Sequence, residues 1–199
     1  MENLLEKLNQ SELYSEELGI DLKTKSDQEL FKWFLASILF GARISETIAK
    51  NTYKTFEKYN LLAPEKIVTA GWEFLVYPIM REGGYVRYDG RKSTQVLRDC
   101  KQLIRDYDGS LNKLHKQAKS SKDLENKLID FYGVGPITVN IFLRELRPFW
   151  EKSDPPVLPV VEQLARTYGI DLNAFDRKSL TFIRIEAGLI KLRKKPPAQ

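Results

Sequence analysis

Leu128-Ile129-Asp130-Phe131-Tyr132-Gly133-Val134-Gly135-Pro136-Ile137-Thr138-Val139-Asn140 joins two runs of helical spacing through two glycines one residue apart. The stretch predicts a helix, a tight hairpin and a second helix whose first-turn amides face outward. Exposed N–H groups at a helix start gather an anion, so the turn suits a phosphate. A sharp turn asks for backbone freedom at Gly133 and Gly135, and a phosphate approaches best where no Cβ stands in the way. Val134 is placed to point back between the helices as a wedge, and Pro136 fits a first helical turn, where its missing N–H costs nothing. The expected phosphate-binding residues are Gly133, Val134, Gly135 and Thr138. Turn carbonyls near Gly133 and Gly135 are expected to suit a monovalent cation, Na or K, facing the same phosphate. The alternative is a helical hairpin packed for its own sake.

Working outward, the chain reads as helical throughout. Ser26-Asp27-Gln28-Glu29 has the spacing of a capping box. Leu30, Phe31, Phe34, Leu35, Ile38 and Leu39 then recur as the apolar surface of a central helix. Gly41-Ala42-Arg43-Ile44 breaks that helix and Ser45 starts the next, with Ile48, Tyr53 and Phe56 as core candidates. Ala63-Pro64-Glu65 starts another, and Gly71 restarts a short one running to about Met80. Gly83-Gly84 and Asp89-Gly90 signal turns. From Arg91 to Tyr107 a stripe of Val96, Leu97, Cys100, Leu103, Ile104 and Tyr107 marks one long amphipathic helix. Residues 1–20 read as a short helix carrying Leu4, Leu5 and Leu8, followed by a polar link. Pro159 opens a helix closed by Gly169, and Asp176 is the expected cap of a last helix. No segment alternates as a strand does, so the expected fold class is all-α.

Of 199 residues, 42% are hydrophobic and 30% charged, enough for a packed core. A formal charge of +5 favours contact with polyanions. Cys100 is the one cysteine, which excludes an intrachain disulfide and a cysteine-held cluster. No leader-like start is seen, and the longest apolar stretch, Trp33 to Gly41, is too short to span a bilayer. The expectation is an intracellular protein (cytoplasm, nucleoid or nucleus) with no membrane partner; protein partners are not specified by the sequence.

Over residues 28–170 the chain resembles the helix-hairpin-helix (HhH-GPD) DNA glycosylase superfamily, especially its endonuclease III-like branch. The resemblance rests on Ala36-Ser37-Ile38-Leu39 with its break and Ser45, on Gly84-Tyr85 through Arg91-Lys92 and Leu97, on Asp108-Gly109, and on the hairpin, in that order. It implies a two-subdomain helical fold. Residues 28–147 would form a central helical barrel, with the helix-hairpin-helix at 124–146. Residues 1–27 would join the C-terminal helices of 148–199, and double-stranded DNA would cross the cleft between the two. It also implies base-excision repair: a damaged or mismatched base is flipped and its glycosidic bond cleaved. Arg43, after the break, would contact the lesion or fill the gap left by a flipped base. Tyr85, Tyr88, Arg91 and Lys92 combine aromatic and positive groups suited to stacking and phosphate contact.

Two departures fall where the family keeps its chemistry. Ile137 stands where bifunctional members carry a lysine, so a hairpin Schiff base cannot form. Leu158 stands where an aspartate is expected within Val157-Leu158-Pro159-Val160-Val161. Asp154, four residues earlier, is the candidate catalytic carboxylate, and Glu162 a further substitute. The resemblance therefore implies a monofunctional DNA glycosylase without lyase chemistry. The alternatives are a catalytically inactive DNA-binding module on the same scaffold, or a helical protein-interaction domain. No cofactor and no iron–sulfur cluster is expected. Arg144, Arg147 and Lys191 to Lys195 read as surface positive charge, and His115 as a surface helix residue.

Overall fold

In the computed structural model, which describes residues 2–193, the regular elements are helical and none of the described residues forms a strand. The α-helices are α1 (Glu2–Asn9), α2 (Tyr14–Glu17), α3 (Asp27–Phe40), α4 (Glu46–Lys58), α5 (Pro64–Phe74), α6 (Asp89–Tyr107), α7 (Leu111–Gln117), α8 (Ser121–Ile129), α9 (Pro136–Arg144), α10 (Pro159–Thr167) and α11 (Leu180–Arg193). No helix among the described residues is long and apolar enough to cross a membrane. The last two positions of the basic run Lys191–Lys195 lie outside the described residues.

Helix α3 is the core of the molecule, buried from Leu30 to Leu39 except for the half-buried Lys32. Its start is only half the expected capping box. The Ser26 hydroxyl accepts from the Glu29 amide at 3.2 Å, but the Glu29 carboxylate turns to the Asp21 amide, 2.9 Å away, and to Lys32. The Ser26 amide is taken by Thr24 instead. Phe34 meets Phe131 and Phe142 edge-on at 5.2 and 5.4 Å, and the Trp33 indole donates to the Phe142 carbonyl at 3.0 Å. These contacts seat the α8–α9 hairpin on α3. Burying each such ring contributes roughly 1.5–3 kcal/mol.

A smaller apolar cluster of Leu8, Val161, Ala165, Ile185 and Leu189 joins α1, α10 and α11. It meets the larger core across a buried ion pair, the Arg147 guanidinium on the Glu186 carboxylate, both almost without solvent contact. Arg144 and Arg147, read from sequence as surface charge, are 5% and 1% exposed. Arg144 lies over the ring of Tyr14, while the second terminal nitrogen of Arg147 donates to the Pro155 carbonyl at 2.7 Å.

Three other local expectations shift. The supposed polar link after α1 buries Leu13, Tyr14, Ser15, Leu18 and Ile20. It does so because buried Glu145 accepts the amides of Tyr14 and Ser15, each at 3.0 Å, satisfying donors that would otherwise keep the segment in water. Asp89-Gly90 is the first turn of α6 rather than a separate turn, with the Asp89 carboxylate accepting the Gly90 amide. The last helix is started by Ser179, whose hydroxyl accepts the Phe182 amide at 3.1 Å, while Asp176 accepts from Lys178 one turn earlier.

Candidate nucleic-acid interface

The two hairpin glycines do different work. Gly133 has φ +71°, where only glycine is unstrained. A Cβ there would lie 3.2 Å from Gln95 Cδ. Gly135 has φ −109°, open to any residue, and a Cβ there would meet nothing within 4 Å. The turn thus needs glycine once, at Gly133, and at Gly135 the chain leaves clear space on its outer face.

The amides of Gly133, Gly135, Ile137 and Thr138 find no acceptor among the described residues. The first intrahelical bond runs from the Val139 amide to the Gly135 carbonyl at 3.0 Å. Val134 differs from its neighbours. Its amide donates to the Phe131 carbonyl at 3.2 Å and its side chain is 5% exposed, so it packs as the wedge rather than presenting a donor. The Thr138 side chain is buried against Gly41, leaving only its amide for a ligand. The carbonyls of Tyr132, Gly133 and Val134 accept nothing from the described residues, a donor set of the kind a monovalent cation takes. No cluster of three or more metal-ligating side chains occurs among the described residues.

Beside this turn lies an open cleft of about 530 Å³, large enough for a nucleobase and its sugar. Three distant segments build it. Gly41, Ala42 and Arg43 come from the break after α3. Tyr85, Tyr88, Arg91, Lys92 and Gln95 come from the approach to α6 and its first turns. Tyr132 and Gly133 come from the hairpin. All five residues expected at the lesion therefore line one cleft. Arg43, Tyr88 and Arg91 are exposed, Lys92 is half-buried and Tyr85 is 4% exposed. Tyr88 holds a left-handed backbone, φ +66°, at the start of α6, with the Arg87 guanidinium over its ring. The Arg98 guanidinium covers the Tyr132 ring at 3.8 Å.

At the cleft, α6 carries polar residues that its apolar periodicity did not single out, Lys92 and Gln95 on the lining and Asp99 buried next to them. Lys92 donates to Gln95 Oε1 at 2.5 Å and to the Ile38 carbonyl at 3.3 Å, the latter at the C-terminal end of α3. Burial lowers its amine to about 8, with Arg91 adding to the fall and Asp99 opposing it. Asp99, one helical turn beyond Gln95, is 1% exposed, and neither carboxyl oxygen makes a hydrogen bond of normal geometry. Burial raises its carboxyl, against the pull of the Tyr132 amide, Lys92, Gln95 and Arg98. The spacing 92, 95, 99 puts all three on one face of α6, a signal that could have been read from the sequence had the polar residues been given the same weight as the apolar stripe.

The candidate acid lies elsewhere. Asp154 Oδ1 accepts from Arg177 at 2.6 Å and from Arg147 Nε at 3.3 Å. Partial burial pushes this carboxyl up, and Arg177 and Arg147 more than offset it, so it titrates below its ordinary value. It is not among the residues of the cleft. Leu158 packs with the α1–α10–α11 cluster. Exposed Glu162 borders a second cleft of about 490 Å³ with Arg166 and Arg177. Ile137 is 56% exposed at the start of α9. His115, expected at the surface, is half-buried and stacks on Trp150 at 4.4 Å.

Comparison of the chain with protein-family models, with curated proteins and with solved structures gives no match.

Proposed function

We propose that this chain binds double-stranded DNA and receives an everted base in the Arg43–Tyr132 cleft, as a base-excision-repair protein of the helix-hairpin-helix glycosylase kind. The observation that carries this reading is the shared position of two features. A turn with four amides that find no acceptor among the described residues and a base-sized cationic cleft meet at Tyr132 and Gly133. The amides hold the backbone without reading sequence, while Arg43, Tyr85, Tyr88 and Tyr132 offer the stacking and gap-filling groups that base eversion requires.

A second reading, a binder that does no glycosidic chemistry, is favoured by the placement of Asp154. C–N bond cleavage develops positive charge on the sugar, and a carboxylate stabilises it. Among the described residues no carboxylate lines the cleft, and Asp154 is engaged by two guanidinium groups.

The test is binding to a duplex with 2-aminopurine opposite a single abasic or mismatched site, alongside single-turnover base release. The reading expects a fluorescence rise on binding and an affinity that falls steeply with salt. Salt-independent binding, or binding that leaves the bases stacked, would overturn it. Base release distinguishes the glycosylase from the binder.

A further inference from the structure

We infer that the cleft selects a neutral, carbonyl-rich base and disfavours N-alkylated cationic and carbonyl-free bases, with Lys92 as the residue that determines this specificity. The inference rests on the reading that the cleft receives a base. Its basis is the balance of side-chain donors and acceptors around the cavity. Arg43 and Arg91 make no hydrogen bond or ion pair with any described residue. The Tyr85 phenol, raised by burial, remains a donor. The one side-chain carbonyl on the floor, Gln95 Oε1, is occupied by Lys92. No carboxylate among the described residues lines the cavity. Among the side chains that line the cavity, donors therefore outnumber acceptors, and three of them, Arg43, Arg91 and Lys92, are cationic.

Tyrosine faces attract cations, and three tyrosines line this cleft. Two of them are already covered, Tyr132 by Arg98 and Tyr88 by Arg87. A cationic base would meet like charge, and two of the three rings already carry a guanidinium on one face. A base bearing carbonyl oxygens meets the complement it needs.

Lys92 decides the matter because of its proton count. An ammonium has three N–H donors, and a neutral amine has two. Two are fixed on Gln95 Oε1 and the Ile38 carbonyl. Only the protonated side chain has a third for a ligand in the cleft. The charged and titratable groups facing it are Asp99 and Arg91 from α6, Arg43 from the break after α3, and the phenols of Tyr85 and Tyr132. Burial makes the third proton easier to lose than in a surface lysine, so the preference weakens as pH rises from 7 to 9.

The experiment is titration of the full chain against duplexes carrying, at one position, uracil, 8-oxoguanine, 7-methylguanine or 1,N6-ethenoadenine, with an unmodified duplex as reference. Uracil and 8-oxoguanine are expected to bind about tenfold tighter than the other two, the scale of one good base-edge contact. In Lys92→Met that ratio should fall to within about threefold. Because Lys92 also caps α3, Lys92→Arg serves as the second variant. It keeps a charge at pH 9, so its preference should vary less with pH than that of the unmodified protein, with the buried Asp99 common to both. Tighter binding of 7-methylguanine or ethenoadenine, or a preference unmoved by both Lys92→Met and pH, would overturn the inference. Failure to bind any duplex would overturn the reading beneath it.

Discussion

Gly133 and Gly135 invite a paired substitution, because the turn constrains one and leaves the other open. Alanine at Gly133 must hold φ +71°, which costs about 1–2 kcal/mol, and must push back a Gln95 side chain 3.2 Å from its Cβ. Gln95 in turn holds Lys92, so the strain reaches the cleft. For a chain of this size the melting temperature should drop by roughly 2–8 °C. Alanine at Gly135 meets nothing within 4 Å and needs no unusual backbone. Loss of chain entropy in the unfolded state stabilises it by about 0.4–1 kcal/mol. Shielding of the helix-start amides opposes this by roughly the same amount. The net change should stay within about 0.5 kcal/mol, a shift of no more than roughly 2 °C. The two variants should differ sharply in stability and agree in function. If the turn clasps a phosphate, the new methyl at Gly135 intrudes on the contact. Loss of a charge-assisted hydrogen bond is then worth about 1.5–3 kcal/mol, or roughly ten- to a hundredfold in affinity. The slope of log affinity against log salt should shrink by about one phosphate contact. Calorimetry and a salt-titrated binding assay on the same samples read both quantities. A Gly135→Ala protein that melts normally and binds DNA with unchanged affinity and slope would refute the clamp. One that melts several degrees lower would refute the account of the open turn.

The buried charges make further predictions. Arg147→Met leaves Glu186 without its partner in a dry interface, and breaking such a pair typically costs about 3–5 kcal/mol, read as a lowered melting temperature or denaturant midpoint. Asp154 titrates below its ordinary value in the folded chain, so its stabilising effect is present above the normal aspartate range and is lost as pH falls through the depressed folded value. Asp154→Asn should therefore melt lower than the unmodified protein at pH 7, with the difference closing below about pH 3, beneath the ordinary carboxylate value of about 3.9. A gap that persists in acid would mean that the aspartate acts through packing rather than charge.

What the sequence by itself determined is the local chemistry. The hairpin is legible because Gly133, Pro136 and a packed Val134 each act within a few residues of themselves. The start of α4 at Ser45 and of α5 at Pro64 is legible for the same reason. The apolar spacing of α3 is enough to mark it as central, because a helix apolar over most of its surface has nowhere else to go. Tertiary structure decided the fate of the polar residues. Arg147 and Glu186 lie 39 positions apart, and Tyr14 and Glu145 131 apart. No local pattern tells a charged residue on a helix that finds such a partner from one that faces water. That is why Arg144 and Arg147 look like surface charge and are core, why the segment after α1 looks like a link and is buried, and why Asp154 can be proposed for the cleft and sits instead between Arg147 and Arg177. Lys92, Gln95 and Asp99 belong to the same class. Their spacing is visible in the chain, but only the approach of the hairpin turn and the end of α3 puts Lys92 and Gln95 on the lining of a cleft, with Asp99 buried next to them.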